Sequence, residues 1–532
     1  MNPKNNIPQF FIQIRQKYLF FLLLNRELIF LTIFALVLRF IAFLFLYDWI
    51  DDGFTWIFFS KNIHNDLFFQ TPRNFVFLPL FAYVGALFIL LTDLIGLELL
   101  KSLQFLNMLL GTITVTLTYI TAKKVTPNRR VPLLSGLLVA TNPIHVIYSV
   151  SSLTEILFGV FLLLAVLFYI NMDNHQYSLF FSGLCFSLAC LTRYESWALI
   201  PFLIPYFFYH RNKIGERWVQ IIWAACIGLI GIILWFLREA IVFDNPWLPL
   251  EHYLGGKGAS GGIETANNVF IDAFYFPIKL IIITINAGFF PLFLFPFLLY
   301  YYKNIRNSAV ITLYVLFASF MSVLCLSFIL GGNSGWDRYL LPIIPETMIL
   351  SSLTIVVLLE NFLTHIHLNF PSKLHDIKKA SSLILGIFIF YYLATGGIII
   401  TLYAPEFNFD RDREAIEAGR FLAKNYTEGT IICDLPPLLV ASELDTSLFY
   451  DSLNFFTLET KSGTINQRLQ SLEVKYVVWT NVDYSHLEDY LPFLNATTPD
   501  DLVYEGTLFK NIYRTERVPK HAFADIFEIV YL

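Results

Sequence analysis

The sequence predicts an α-helical polytopic membrane protein, with about 11 transmembrane helices plus juxtamembrane helices, followed by a C-terminal soluble α/β domain. Composition is the first reason. Of 532 residues, 56% are apolar and only 14% charged, against roughly 25% charged in an ordinary soluble domain, and mean hydropathy is +0.61. Apolar runs close to the roughly 20 residues a spanning helix needs recur along most of the chain. After Tyr403 the composition turns to that of soluble protein.

Residues 1–27 mix Arg15, Lys17 and Arg26 with Phe and Leu, and no small-residue cleavage site follows. They read as an interfacial helix on the cytoplasmic face rather than a signal peptide. Spanning candidates are 28–47, 101–122, 131–148, 155–171, 177–192, 197–210, 217–238, 277–302, 308–330, 338–362 and 381–403. Segment 78–97 is apolar enough to be another, and charge decides its status. The clusters Lys123, Lys124, Arg129 and Arg130, then Arg211, Lys213 and Arg217, then Lys303 and Arg306, then Lys373, Lys378 and Lys379 belong inside. They all fall there only if 78–97 makes no net crossing. It is expected to lie along the outer surface, or to dip in and return; a full crossing is the alternative.

The transmembrane domain is therefore 28–403, with external loops 48–100 and 239–276. An odd number of crossings puts 404–532 outside as a soluble α/β domain of ordinary size. Within it, Thr430 to Cys433, Lys475 to Trp479 and Leu508 to Tyr513 alternate as strands, while Arg413 to Asn425 and Ile465 to Leu472 read as helices. Asn425-Tyr426-Thr427 and Asn495-Ala496-Thr497 match the N-glycosylation acceptor pattern, which is short enough to arise by chance.

Composition also excludes. A net charge of -5 leaves no basic patch for nucleic acid. Four of the five Cys, at 185, 190, 226 and 325, fall in apolar spans, so no disulfide framework is expected. The Gly-rich stretch Gly255 to Gly262 lacks phosphate-loop spacing and has no strand before it. It reads as part of a mobile lid over an outer cavity, or as a plain disordered loop.

The candidate chemistry gathers at the outer ends of the helices. Asp51-Asp52-Gly53, with Asp48 just before, ends the first apolar run and is followed by the aromatic segment Phe54 to Phe69. Carboxylates at a hydrocarbon boundary are costly unless solvated, paired or used, so the pair is either a helix cap or a functional group. Thr154-Glu155 sits at another outer turn, as an N-cap with an acidic first turn or as a site residue. Arg193-Tyr194-Glu195 and Trp336-Asp337-Arg338-Tyr339 follow the same theme, and His252 lies in the second external loop. An Arg at a helix end can simply snorkel. Two facing an acidic pair across a cavity favour an anionic substrate.

The order of these features resembles the GT-C membrane glycosyltransferases, in the branch holding protein O-mannosyltransferases and lipid A aminoarabinose transferases. There a first-loop Asp-Glu ends the first helix, where Asp51-Asp52 stands here. Leu78-Pro79-Leu80 is a one-proline version of the family's Pro-Pro-Leu, Thr154-Glu155 matches an acidic second outer loop, and Arg193 and Arg338-Tyr339-Leu340-Leu341-Pro342 have counterparts. Asp replaces the usual Glu at 52, which leaves open which of the two carboxylates is the base.

The resemblance implies a GT-C-like fold and transfer of a sugar from a polyprenyl- or dolichyl-phosphate carrier to an acceptor hydroxyl on a protein, lipid or glycan. It implies inversion on the non-cytoplasmic face of a membrane, the cell membrane foremost. Asp51, Asp52 and Glu155 would be catalytic, with Asp51 as base; Arg193, Glu195, His252, Asp337 and Arg338 would bind substrate. A lipid monophosphate demands no metal, and no other cofactor is required. A transporter or lipid flippase is the alternative, but such proteins place ionisable groups near the midplane, often in repeated halves. A scaffold with a partner-binding outer domain would leave the acidic first loop unexplained.

Overall fold

The computed structural model describes residues 26–46, 51–65, 78–173, 175–201, 203, 218–243, 245–247, 307–329, 337–369, 413–433, 436–444, 448–450, 465–480, 501–504, 507–514 and 524–531. The expected spans 277–302 and 381–403, most of 1–27, most of 197–210 and nearly all of loop 239–276 lie outside these residues.

The membrane part runs as α1 (Arg26–Phe45), α2 (Asp51–Asn65), α3 (Leu80–Asp93), α4 (Leu99–Val125), α5 (Arg130–Thr141), α6 (Pro143–Tyr148), α7 (Glu155–Ile170), α8 (Ser178–Cys190), α9 (Trp218–Phe243), α10 (Ser308–Ile329), a 3-10 helix (Asp337–Ile343) and α11 (Ile344–Asn369). Among the described residues four stretches are long and apolar enough to cross a membrane: Arg26–Phe45, Leu99–Val125, Val219–Ile241 and Arg338–Asn361. Most of the last stretch is buried, so it runs through the middle of the bundle, whereas the first and third are largely exposed and form its rim. Leu31, Val115, Val139, Phe158, Phe320 and Ile349 meet in the main core.

Segment 131–148 differs from the single span its hydropathy predicts. Asn142-Pro143 divides it: the Asn142 side chain accepts from the His145 amide at 2.9 Å and Pro143 takes the first helical position. A capped new helix start with Pro at N1 is favoured over continuation. α3 has 14 residues, or roughly 21 Å of helix against a hydrocarbon core of about 30 Å. It packs on α2, where Gly85 admits the Ser60 hydroxyl; a Cβ at 85 would stand 2.3 Å from it.

Arg39 lies wholly buried in α1. Its Nη1 donates to the carbonyls of Ala35 at 3.1 Å and Ala140 at 3.4 Å, and its Nη2 to that of Val139 at 3.4 Å. Nη2 also donates to His145 Nδ1 at 2.9 Å. Carbonyls freed at the end of α5 by the Asn142-Pro143 break thus receive the charge, in accord with the polarity of a helix C-terminus.

The C-terminal residues form α12 (Arg413–Asn425), β1 (Thr430–Ile432), α13 (Pro436–Ser442), β2 (Phe449–Tyr450), α14 (Ile465–Ser471), β3 (Val474–Thr480), β4 (Asp501–Tyr504), β5 (Thr507–Arg514) and β6 (Ala524–Tyr531). The six strands order as β2-β1-β3-β6-β5-β4, parallel from β2 to β3 and antiparallel thereafter. β3 is central, with Tyr476, Val477 and Val478 buried, as a strand covered on both faces requires. Ala415, Ala418 and Leu422 of α12 pack on Ile431, Val478 and Ile526.

Candidate active site

Four short chain ends converge at one end of the bundle. α2 starts at Asp51 and carries Asp52; α7 starts at Glu155; Arg193 and Glu195 follow α8; Arg338 and Tyr339 sit in the 3-10 helix that leads into α11. Each is placed by a helix terminus, so polar groups face the end of the bundle while the helix bodies stay apolar.

Together they form a chain of alternating charge. Asp52 Oδ2 meets Arg338 Nη2 at 2.8 Å, and Arg338 Nε lies 3.6 Å from Glu155 Oε1. Glu155 Oε1 accepts from Arg193 Nη1 at 2.8 Å. The Arg193 fork then grips Glu195, with Nη2 to Oε1 at 2.6 Å and Nε to Oε1 and Oε2 at 3.1 Å. Tyr339 offers its ring face to both cations, 5.1 Å from Arg193 and 5.3 Å from Arg338.

Exposure is graded along this chain. The side chains of Glu155, Arg338 and Glu195 are 1%, 8% and 8% exposed, while Asp52 is 38% exposed. Asp52 is therefore the end of the network that solvent or substrate can reach. Burial works to lower the Arg193 pKa, but Glu155 and Glu195 more than offset it and hold the guanidinium well above its ordinary range, permanently charged.

Thr154 does not cap α7 through its side chain. Its hydroxyl instead accepts from Arg193 Nη1 at 3.0 Å. The turn before it is pinned by Asn107, whose amide donates to the carbonyls of Ser151 at 2.6 Å and Leu153 at 2.7 Å.

Of the residues singled out in the sequence, Asp52, Glu155, Arg193, Glu195 and Arg338 come together. Asp51 opens α2 and Asp337 opens the 3-10 helix; neither side chain, nor any part of His252, is among the described residues. The sequence reading passed over Tyr339 as a platform, Asn107 as a clamp and Arg39 as a buried tie. For Arg39 the signal was present, as a charge inside a long apolar run. Among the described residues no group of three or more His, Cys, Asp or Glu could hold a metal ion.

Residues 78–236 match the family model for dolichyl-phosphate-mannose-protein mannosyltransferases. The chain is similar in fold to ArnT from Cupriavidus metallidurans bound to undecaprenyl phosphate, with TM-score 0.61, 13% identity, and 94% of this chain and 98% of that chain covered. The archaeal oligosaccharyltransferase AglB from Archaeoglobus fulgidus, in complex with an inhibitory peptide and a dolichol-phosphate, matches with TM-score 0.53 and 12% identity, covering 85% of this chain and 69% of that one. The family match thus covers residues 78–236, and the likeness to these two solved structures is one of fold. Comparison with curated protein sequences finds no match.

The segment matched by the family model holds Glu155, Arg193 and Glu195, whereas Asp52 and Arg338 lie to either side of it. The charge chain is thus assembled from the matched segment and from two flanking elements, α2 and the 3-10 helix.

Proposed function

We propose that the protein transfers a sugar from a polyprenyl- or dolichyl-phosphate carrier to an acceptor hydroxyl, with inversion, on the non-cytoplasmic face of the membrane. The observation that carries this is the Asp52–Arg338 pair at 2.8 Å, with its carboxylate the exposed end of an otherwise buried network. A sugar on a lipid phosphate presents its anomeric carbon at the membrane surface and leaves its tail in lipid. The basic residues Lys123, Lys124, Arg129 and Arg130 lie at the far ends of α4 and α5, which favours an external site.

Asp52 takes the proton from the acceptor hydroxyl as its oxygen attacks the anomeric carbon. The bond from that carbon to the phosphate oxygen breaks, and the electron pair leaves with the lipid phosphate. A single displacement inverts the anomeric centre. On taking the proton Asp52 loses its negative charge and its hold on Arg338, so the guanidinium becomes available to the departing phosphate at the moment its charge develops. Arg193, held by Glu155 and Glu195, adds positive potential from behind. Glu155 keeps the two guanidiniums close to one another and orients them.

In vitro transfer from polyprenyl-phosphate sugars tests this. Asp52→Asn should lower turnover by about a hundredfold or more, in the range of a lost general base. Full activity in Asp52→Asn would remove this assignment, and a loss confined to Asp51→Asn would return the base to Asp51, the residue favoured from the sequence.

A further inference from the structure

The helix that bears Asp52 is held by the C-terminal unit as well as by the membrane bundle. Ile416 of α12 and Val440 and Ala441 of α13 are buried in one apolar cluster with Phe54, Trp56, Ile57 and Phe59 of α2. Lys61 of α2 donates to the Leu444 carbonyl at 3.2 Å. That carbonyl is aimed by Glu443, a non-glycine residue at φ 54° where α13 ends. Such a left-handed residue is a common helix stop but is disfavoured away from glycine, so the chain keeps an unfavourable conformation where it meets α2. Gly419 lets α12 and α13 sit close, since a Cβ there would stand 2.6 Å from the Leu438 carbonyl. A second tie joins Arg420 of α12 to Glu98, the residue just before α4.

α2 is thus fixed on two sides, by α3 through Ser60 and Gly85 and by α13 through Val440 and Lys61. Asp52 lies at the free N-terminal end of this same rigid helix, so any rocking of α2 moves its carboxylate relative to Arg338 on the 3-10 helix. We propose that the α12–α13 face of the C-terminal unit is a positioning element for catalysis, which sets the register of α2 and so the Asp52–Arg338 pair. Val440 and Lys61 are then positioning residues, acting through Asp52 and touching no substrate. The inference rests on Asp52 as the reacting carboxylate.

The test uses the full-length protein in detergent with Val440→Ala, Lys61→Met and the double variant; Met keeps the stem of Lys61 in place while removing its ammonium. Hydrogen exchange of α2 and α7 is read beside kcat and KM for transfer from a polyprenyl-phosphate sugar. In the double variant, exchange should rise in α2 and stay unchanged in α7. kcat should fall about tenfold with KM for the donor little changed, since misplacement by about 1 Å costs up to a hundredfold. A raised KM with unaltered kcat, or a fall in kcat with α2 exchange unchanged, would overturn the proposal. A global rise in exchange across α2 and α7 would also overturn it, since the contact would then support the fold at large. If the unaltered protein transfers none of the sugars, the base assignment fails by itself, and exchange in α2 still decides whether the C-terminal unit holds that helix.

Discussion

Arg338 and Asp52 pair at 2.8 Å across the mouth of the bundle, joining the 3-10 helix that enters the central α11 to the short helix that follows α1. The Arg338 side chain is 8% exposed and the Asp52 side chain 38%, so the bond ties a fixed cation to an accessible carboxylate.

On the proposed mechanism, replacing Arg338 by Gln should remove the cation that receives the departing phosphate and release Asp52. A loss of about 10²–10³ in kcat is expected, the range seen for removal of a preorganised electrostatic donor. Arg338→Lys should recover little, because an ammonium cannot face Asp52 and Glu155 as a planar fork does. Single-turnover transfer separates this from weaker donor binding.

Glu155 sits between two guanidiniums and is 1% exposed. Glu155→Gln should destabilise by about 1.5–3 kcal/mol, because both guanidiniums lose their shared carboxylate while Arg193 keeps Glu195 and Arg338 keeps Asp52. The double variant Glu155→Gln/Arg193→Gln should be less destabilised than the sum of the singles. Thermal unfolding of the four proteins measures the coupling; additive losses would mean the pair at 2.8 Å contributes nothing specific.

Tyr339 should act through its ring face. Tyr339→Phe is expected to keep most activity and stability, whereas Tyr339→Leu should lose about 0.5–2 kcal/mol as both cation–π contacts go. The melting temperatures of the two variants, compared side by side, decide between ring and hydroxyl.

The α8–α9 contact depends on absence of side chain. A Cβ on Gly183 would lie 2.3 Å from the Ala224 carbonyl, and the Gly231 amide donates to the Ser187 hydroxyl at 2.8 Å. Gly183→Ala should cost about 1–3 kcal/mol through overpacking. Gly96 makes the contrast: it has open space around it but φ +67°, so Gly96→Ala should cost only about 1–2 kcal/mol of backbone strain. Heat-induced aggregation midpoints would rank them.

Much of the site was legible because its residues break the rule of their surroundings: Asp52, Glu155, Arg193, Glu195 and Arg338 are charges at the ends of apolar runs. Their pairing was not legible. Whether Arg193 meets Glu155 or simply snorkels depends on how α7 and α8 pack, and hydropathy carries no rotation about a helix axis. The break at Asn142-Pro143 was written in the sequence as a turn signal, but averaging over 131–148 smoothed it away. Thr154 looked like a cap from its position and turned out to serve Arg193, because the cap preference is a statement about isolated helix starts.

Arg39 has a consequence for how the protein is made. α1 leaves the ribosome before α5 and α6, and an isolated Arg in a spanning helix costs about 2.5–3.5 kcal/mol on insertion. The carbonyls and imidazole that receive this guanidinium, at Val139, Ala140 and His145, are synthesised about a hundred residues later. During that interval α1, with mean hydropathy 2.7, stays in the bilayer by its apolar residues alone. The arrival of α5 and α6 then closes the pocket around a charge already in the membrane, so the order of synthesis is itself a step in assembling the bundle.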